Sequence, residues 1–223
     1  MPCSQHREKV SKKKPHMSEP SRRLDRKSSS DSGQTPVMPA VDERMPLSMA
    51  STPHPSVWDV EELLKQCEFR TQSRSGPGGQ HRNRTASGVF VTYRPAEITA
   101  EATEERNQHR NRDVAIRRLR YVLAVSLRTP SPLAEAAVAD SQEQAVRDRF
   151  RGSPLKMAEQ NDAKPAVIAL LLNDLHVAGG QPSLVAPFWK VSTSRIAACL
   201  RSHHPAMTLV NRIRQHHGRG PLK

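Results

Sequence analysis

A glycine-rich turn set between two strand-like runs constrains this chain more than any other stretch. Ser75-Gly76-Pro77-Gly78-Gly79-Gln80-His81 places three glycines in four positions. Such a run opens backbone angles closed to other residues and lets main chain approach a ligand closely, while Pro77 limits the freedom it creates. Upstream, Glu68–Ser73 reads as a short strand. Downstream, Val89, Val91 and Tyr93 alternate with Phe90, Thr92 and Arg94, the period of a strand, and after Pro95-Ala96 the alternation resumes at Ile98, Ala100 and Ala102. The two runs predict a hairpin. Ahead of them, Ser56 with Asp59 has capping-box spacing, and Glu61 and Glu62 suit the first turn of a helix ending near Gln66. Beyond the hairpin, Thr103 is a candidate N-cap with Glu104 and Glu105 behind it, opening a helix to about Arg128. On that helix Ala115, Ile116, Leu119, Val122, Leu123 and Leu127 fall on one stripe able to cover a sheet. The prediction is an α+β fold: a small domain in which a β-hairpin sheet packs on a long helix.

Charge separates this block from its flanks. The chain carries a net +13 over 223 residues, and within 57–128 all but one of 13 basic residues are arginine. Arginine's planar fork suits phosphate recognition, whereas lysine serves solubility equally well. Arg106, Arg110 and Arg117 gather on a face away from the apolar stripe, and a polyanion is the expected partner. Residues 1–56 hold 8 of the 18 prolines, 11 serines and no Phe, Trp or Tyr, so they are expected to form a disordered basic tail. Lys12-Lys13-Lys14 and Arg22-Arg23 suit non-specific polyanion contact or a solvated surface. Thr129-Pro130-Ser131-Pro132 is read as the end of the 57–128 domain, 129–155 as a linker with a helix over about Leu133–Arg151, and 156–223 as an all-helical unit. In that unit Ala166–Val177 is an apolar helix, Ser192 caps Thr193–Ser202, and Pro205 opens a last helix ended by Gly218.

At the tip of the loop stands Gln80, which has no titratable group and cannot serve as general acid or base. Its contribution to catalysis would be hydrogen-bond donors, backbone N–H included, aimed at developing charge; the alternative is an ordinary Gly-Pro turn. The surrounding residues decide between these. Phe69 through Thr85, with Ser75-Gly76-Pro77-Gly78-Gly79-Gln80-His81-Arg82-Asn83-Arg84 at its centre, resembles the signature of class I peptide chain release factors. Glu105-Arg106-Asn107-Gln108-His109-Arg110-Asn111-Arg112 does so as well, at a family-like spacing beyond a hairpin, and the resemblance covers about residues 60–127.

The resemblance implies that the loop enters the peptidyl-transferase centre of the large ribosomal subunit, where water attacks the ester joining nascent peptide to tRNA. It implies that Gly78 and Gly79 permit the backbone geometry of Gln80, whose N–H stabilises the oxyanion or leaving hydroxyl and whose side chain orders the site. A glutamine methyltransferase acting on Gln80 is a further implied partner, beside ribosomal RNA and peptidyl-tRNA. Arg74, Arg84, Arg106 and Arg110 match basic positions of the family, and His81, Arg82, Arg112 and Arg117 complete the expected RNA-binding set. Arg82 stands where the family is usually apolar, and the turn at Pro95-Ala96 lacks the usual glycine. Only 79 residues precede Gln80, so a stop-codon decoding domain is not expected. The chain resembles stand-alone, codon-independent ribosome-rescue factors. A non-catalytic ribosome-docking protein built on the same scaffold is the alternative, and a DNA-binding regulator led by the C-terminal helices a third.

Other features carry less. Gly179-Gly180-Gln181 repeats the tripeptide directly after an apolar helix, where helix-stop chemistry explains it. Ser192–Gly218 is helix-turn-helix-like, with Arg212, Arg214, His216 and His217 on its last helix. Cys199 with His203, His204, His216 and His217 fits no zinc spacing, and Cys3, Cys67 and Cys199 form no CxxC pair, so neither metal nor cofactor is expected. Phe188 and Trp189 are expected core anchors. No run of eighteen apolar residues occurs and the start lacks the apolar core of a secretory signal, so a cytoplasmic protein without membrane contact is expected.

Overall fold

Asp59, rather than Ser56, starts the first helix. The computed structural model describes residues 36–73, 87–134 and 139–223. In it the Asp59 carboxylate accepts the Glu62 N–H at 2.8 Å, and α1 runs Val60–Lys65 with Glu61 and Glu62 in its first turn. Ser56 is buried instead, its hydroxyl donating to the Arg120 carbonyl at 2.8 Å. Strands β1 (Cys67–Gln72), β2 (Gly88–Tyr93) and β3 (Ile98–Ala102) form an antiparallel sheet in the order β1-β2-β3. Phe69 lies opposite Val91, and Val91 opposite Ala100, so the expected alternation sends Val89, Val91, Tyr93, Ala100 and Ala102 to one buried face. On the other face the Thr92 and Thr99 hydroxyls meet at 2.8 Å and the Arg70 guanidinium lies 5.2 Å from the Phe90 ring centre. Between β2 and β3 a 3-10 turn spans Arg94–Ala96, and Glu97 then takes φ 52°, the left-handed conformation a glycine usually supplies. The hairpin closes without one.

The long helix α2 (Gln108–Ser126) is capped by Asn107, whose side chain accepts the His109 N–H at 2.8 Å. Thr103 is therefore not the cap, and Glu104 and Glu105 lie in the connection ahead of the helix. Ala115, Ile116, Leu119, Leu123 and Leu127 are buried as expected; Val122, at the margin of the stripe, is 38% exposed. Two sides of α2 are used. Leu119 and Leu123 join the sheet-side core, while Tyr121 and Ala124 join a second core of helices.

That second core surrounds α4 (Lys164–Val177), all of whose residues are buried. Around it stand α3 (Ser141–Phe150), α5 (Pro182–Trp189), α6 (Thr193–Arg201) and α7 (His204–His216). Asp140 caps α3, which is shorter than the helix expected over 133–151. Gly179 and Gly180, with φ 60° and 71°, end α4: Gly180 N–H reaches the Leu175 carbonyl at 2.7 Å and Gly179 N–H that of His176 at 3.1 Å. This is the helix-stop arrangement expected of the second Gly-Gly-Gln. Asp174 in α4 anchors a buried polar cluster, accepting from Trp189 Nε1 at 2.7 Å, Ser131 Oγ at 2.7 Å and Arg147 Nη2 at 3.1 Å. Thr129, in the segment expected to break the chain, donates its hydroxyl to Glu143 at 2.7 Å in the same cluster.

Residues 36–56, grouped with the tail on composition, lie along this helical core. His176 Nε2 contacts the Met45 carbonyl at 2.7 Å, Gln181 Nε2 donates to the Val37 carbonyl at 3.0 Å, and the Ala50 N–H bonds the Arg128 carbonyl at 2.8 Å. Met45 enters the helical core with Leu47 packed against it, and the His54 side chain is buried as well. Residues Pro36–Lys223 thus make one compact unit with two cores sharing α2.

Candidate nucleic-acid interface

The glycine-rich loop springs from the pair Gln72 and Gly88, the last rung of the β1–β2 ladder. A Cβ at Gly88 would stand 3.0 Å from the Gln72 carbonyl oxygen and 3.2 Å from Thr103 Cγ2, so glycine allows a close approach at the loop base that a side chain would crowd. Gly78, Gly79, Gln80, Arg74, His81, Arg82 and Arg84 lie outside the described residues. What is described is the platform beneath them.

Asn111 secures that platform. Its side chain is fully buried on the first turns of α2; Nδ2 donates to the Ser87 carbonyl at 2.6 Å and to the Glu105 carbonyl at 2.9 Å, while Oδ1 accepts the Glu105 N–H at 3.0 Å. One amide therefore ties the end of the loop, the chain ahead of α2 and the helix itself. Sequence reasoning placed Asn111 within a motif and gave it no role. An uncharged residue kept amid arginines was the available signal.

The four described arginines of the expected set divide. Arg106 precedes the Asn107 cap, so it is not on the helix; it is exposed and has no hydrogen-bond or ion-pair partner among the described residues. Arg110 is exposed on the first turn, with Glu105 at 4.0 Å, a weak and screened pair at most. Arg117 lies two turns further along the same side of α2, half-buried beside a small cleft that also involves Arg120 and Asp162. Arg112 differs: its guanidinium lies 4.0 Å from the centre of the Phe69 ring. That contact braces β1 against α2, and Arg112 is otherwise exposed. Arg118, outside the expected set, spans to β3 through the Glu101 carbonyl and the Glu104 carboxylate, both at 2.8 Å, and holds the Glu104 carboxyl below its usual range.

Among the described residues no cluster of His, Cys, Asp and Glu could hold a metal. Cys199 is buried, its thiol pushed up to about 11 by desolvation, and His203 stacks on Tyr121 at 4.6 Å. No described helix is long and apolar enough to cross a membrane. The arrangement thus offers arginines beside a loop whose base is fixed from three sides.

Comparison with known proteins agrees with this geometry. The RF-1 domain family matches residues 58–162, from just ahead of α1 to just ahead of α4. A peptide chain release factor 1 of Xylella fastidiosa is 45% identical over 73 residues, 33% of this chain and 19% of that protein. Those of Caldicellulosiruptor saccharolyticus and Chlamydia pneumoniae are 43% identical over 68 residues and 38% over 76, covering 30% and 33% of this chain and 19% and 21% of theirs. The chain spans about a fifth of the length of the curated relatives it matches. Over residues 58–162 the chain is thus similar to the RF-1 domain family and, over a shorter stretch, to peptide chain release factors.

Proposed function

We propose that the protein promotes hydrolysis of peptidyl-tRNA on the large ribosomal subunit, and that it does so without reading a codon, rescuing stalled ribosomes. The observation that carries this reading is the loop base: Gly88 and Asn111 fix both ends of a Gly78-Gly79-Gln80 loop on a sheet–helix platform of the RF-1 family. Gln80 contributes donors, and water is the nucleophile: it adds to the ester carbonyl, the ester C–O bond breaks, and the tRNA 3′ oxygen leaves with a proton. The Gln80 N–H, freed to turn by Gly78 and Gly79, stabilises the charge that develops on oxygen. Arg74, His81, Arg82, Arg84, Arg106, Arg110, Arg112 and Arg117 contact ribosomal RNA around the loop, Arg112 also bracing the platform through Phe69. In this reading Gln80 is also the acceptor for a glutamine methyltransferase.

Codon independence is the finer part of this proposal, and the release assay decides it. The test is release of labelled peptide from ribosomes whose A site holds a stop codon, a sense codon or no mRNA. Comparable release with the A site empty and no stimulation by a stop codon are expected, with loss on Gln80→Ala. Release confined to stop codons overturns the codon-independent part. Ribosome binding with no release in any state favours the docking reading instead.

A further inference from the structure

From residue 175 to residue 223 the chain contains no aspartate or glutamate, yet it carries seven lysines and arginines. The chain's average of 22 acids in 223 residues would place about five in a stretch of that length, so the run departs from the well-mixed surface of ordinary solvated helices. The stretch comprises α5, α6, α7 and the segment after them. The Lys/Arg–Asp/Glu ion pairs seen among the described residues lie within 62–174, and none of them involves Lys190, Arg195 or Arg212.

Two arginines of the layer are oriented by backbone carbonyls, Arg219 by that of Gly179 at 3.0 Å and Arg214 by that of Gly180 at 2.8 Å. A carbonyl orients a guanidinium without cancelling its charge. The Leu222 N–H bonds Asn211 Oδ1 at 2.8 Å, so residues 219–223 fold back along α7 and bring Lys223 beside Arg201 at the end of α6. Lys190, Arg195 and Arg212 are exposed on the connection into α6, on its first turn and midway along α7. Glu43 and Glu159 approach the layer's histidines from other elements, yet neither forms an ion pair with Lys190, Arg195 or Arg212 among the described residues.

We infer that the α6–α7 face is a second RNA-binding surface, which grips the phosphate backbone of structured RNA separately from the loop platform. Charge without compensating carboxylates is the electrostatic footprint of a polyanion partner. Choosing RNA among polyanions rests on the ribosome reading above; the existence of the surface does not. It would hold the protein on the ribosome independently of the catalytic tip.

The test uses the full chain with Lys190→Glu, Arg195→Glu and Arg212→Glu combined, each at an exposed position. Filter binding to duplex RNA and to large ribosomal subunits is measured between 50 and 200 mM salt, with phosphatidylglycerol vesicles as a third probe. The triple variant is expected to bind RNA and subunits at least ~10-fold more weakly at low salt, with a salt slope shallower by about 2 to 3, since each lost phosphate contact removes about 0.9. Its melting temperature should match that of wild type. RNA affinity within twofold of wild type, or a loss confined to vesicles, overturns the inference. Failure of wild type to release peptide would count against the proposed function alone, because duplex-RNA binding reads the surface directly.

Discussion

Asn111→Ala tests whether one buried amide holds the base of the loop. The substitution removes two donated bonds, at 2.6 and 2.9 Å, and one accepted bond at 3.0 Å. At about 1 kcal/mol net for each neutral bond, a loss of about 2–3 kcal/mol is expected, water recovering part of it at the partly exposed partners. Asn111→Asp is nearly isosteric and should be worse. It keeps the acceptor for the Glu105 N–H but turns an oxygen toward the Ser87 and Glu105 carbonyls, in a site with no solvent exposure. Burial then raises the carboxyl's pKa, so the Asn111→Asp deficit should shrink as pH falls and the protonated group regains a donor. Urea unfolding at pH 7 and pH 5, with hydrogen exchange at the Gly88 amide, reads both effects. Stability of Asn111→Ala within ~0.5 kcal/mol of wild type would refute the reasoning, as would Asn111→Asp exceeding Asn111→Ala at pH 7.

Two further expectations concern the helical core. Asp174→Asn removes the charge facing Arg147 while leaving an acceptor for Trp189 or Ser131, and should cost about 3 kcal/mol or more in urea unfolding. A cost below ~1 kcal/mol would mean Glu143 alone satisfies Arg147. His54 is buried and neutral, its Nδ1 accepting the Ser56 N–H at 3.0 Å and its Nε2 facing the Leu127 carbonyl at 3.1 Å; desolvation and then Arg128 lower its pKa from 6.5 to about 3. Below pH 6.5 the unfolded chain takes up a proton the folded chain refuses, so this residue's contribution is complete above that pH and is lost as pH falls toward 3, at about 1.4 kcal/mol per pH unit. His54→Gln should flatten the decline between pH 6.5 and 5 by about one proton, and equal slopes would contradict the account.

Much of the platform was legible because its signals are local. Alternation at Val89–Tyr93 and Ile98–Ala102 is a property of consecutive residues, and the structure places both on the face that the period requires. The helix stop at Gly179-Gly180 and the Ser192 cap are local in the same way. Caps with rivals nearby were not legible. Thr103 and Asn107 both suit the role, and the choice rests on Asn111 drawing Glu105 out of the helical path. Ser56 lost to Asp59 because the Arg120 carbonyl, 64 residues away, claims its hydroxyl. Helix α5 was hidden by prolines at both Pro182 and Pro187, and the strap over 36–56 by a proline-rich composition in which few residues, such as Met45, reach the core. Arg112 illustrates the limit for site residues: its type suggested phosphate, and its contact with Phe69 across the β1–α2 gap left no trace in the sequence.

The central claim concerns ester cleavage, as distinct from docking, and single-turnover release separates them. Wild type and Gly79→Ala should be compared on ribosomes stalled without a stop codon, at concentrations giving equal ribosome occupancy. The account predicts that wild type releases the peptide and that Gly79→Ala binds equally but releases at least ~100-fold more slowly, the scale for losing a positioned oxyanion donor. Equal rates at equal occupancy, or no release by wild type, would contradict it.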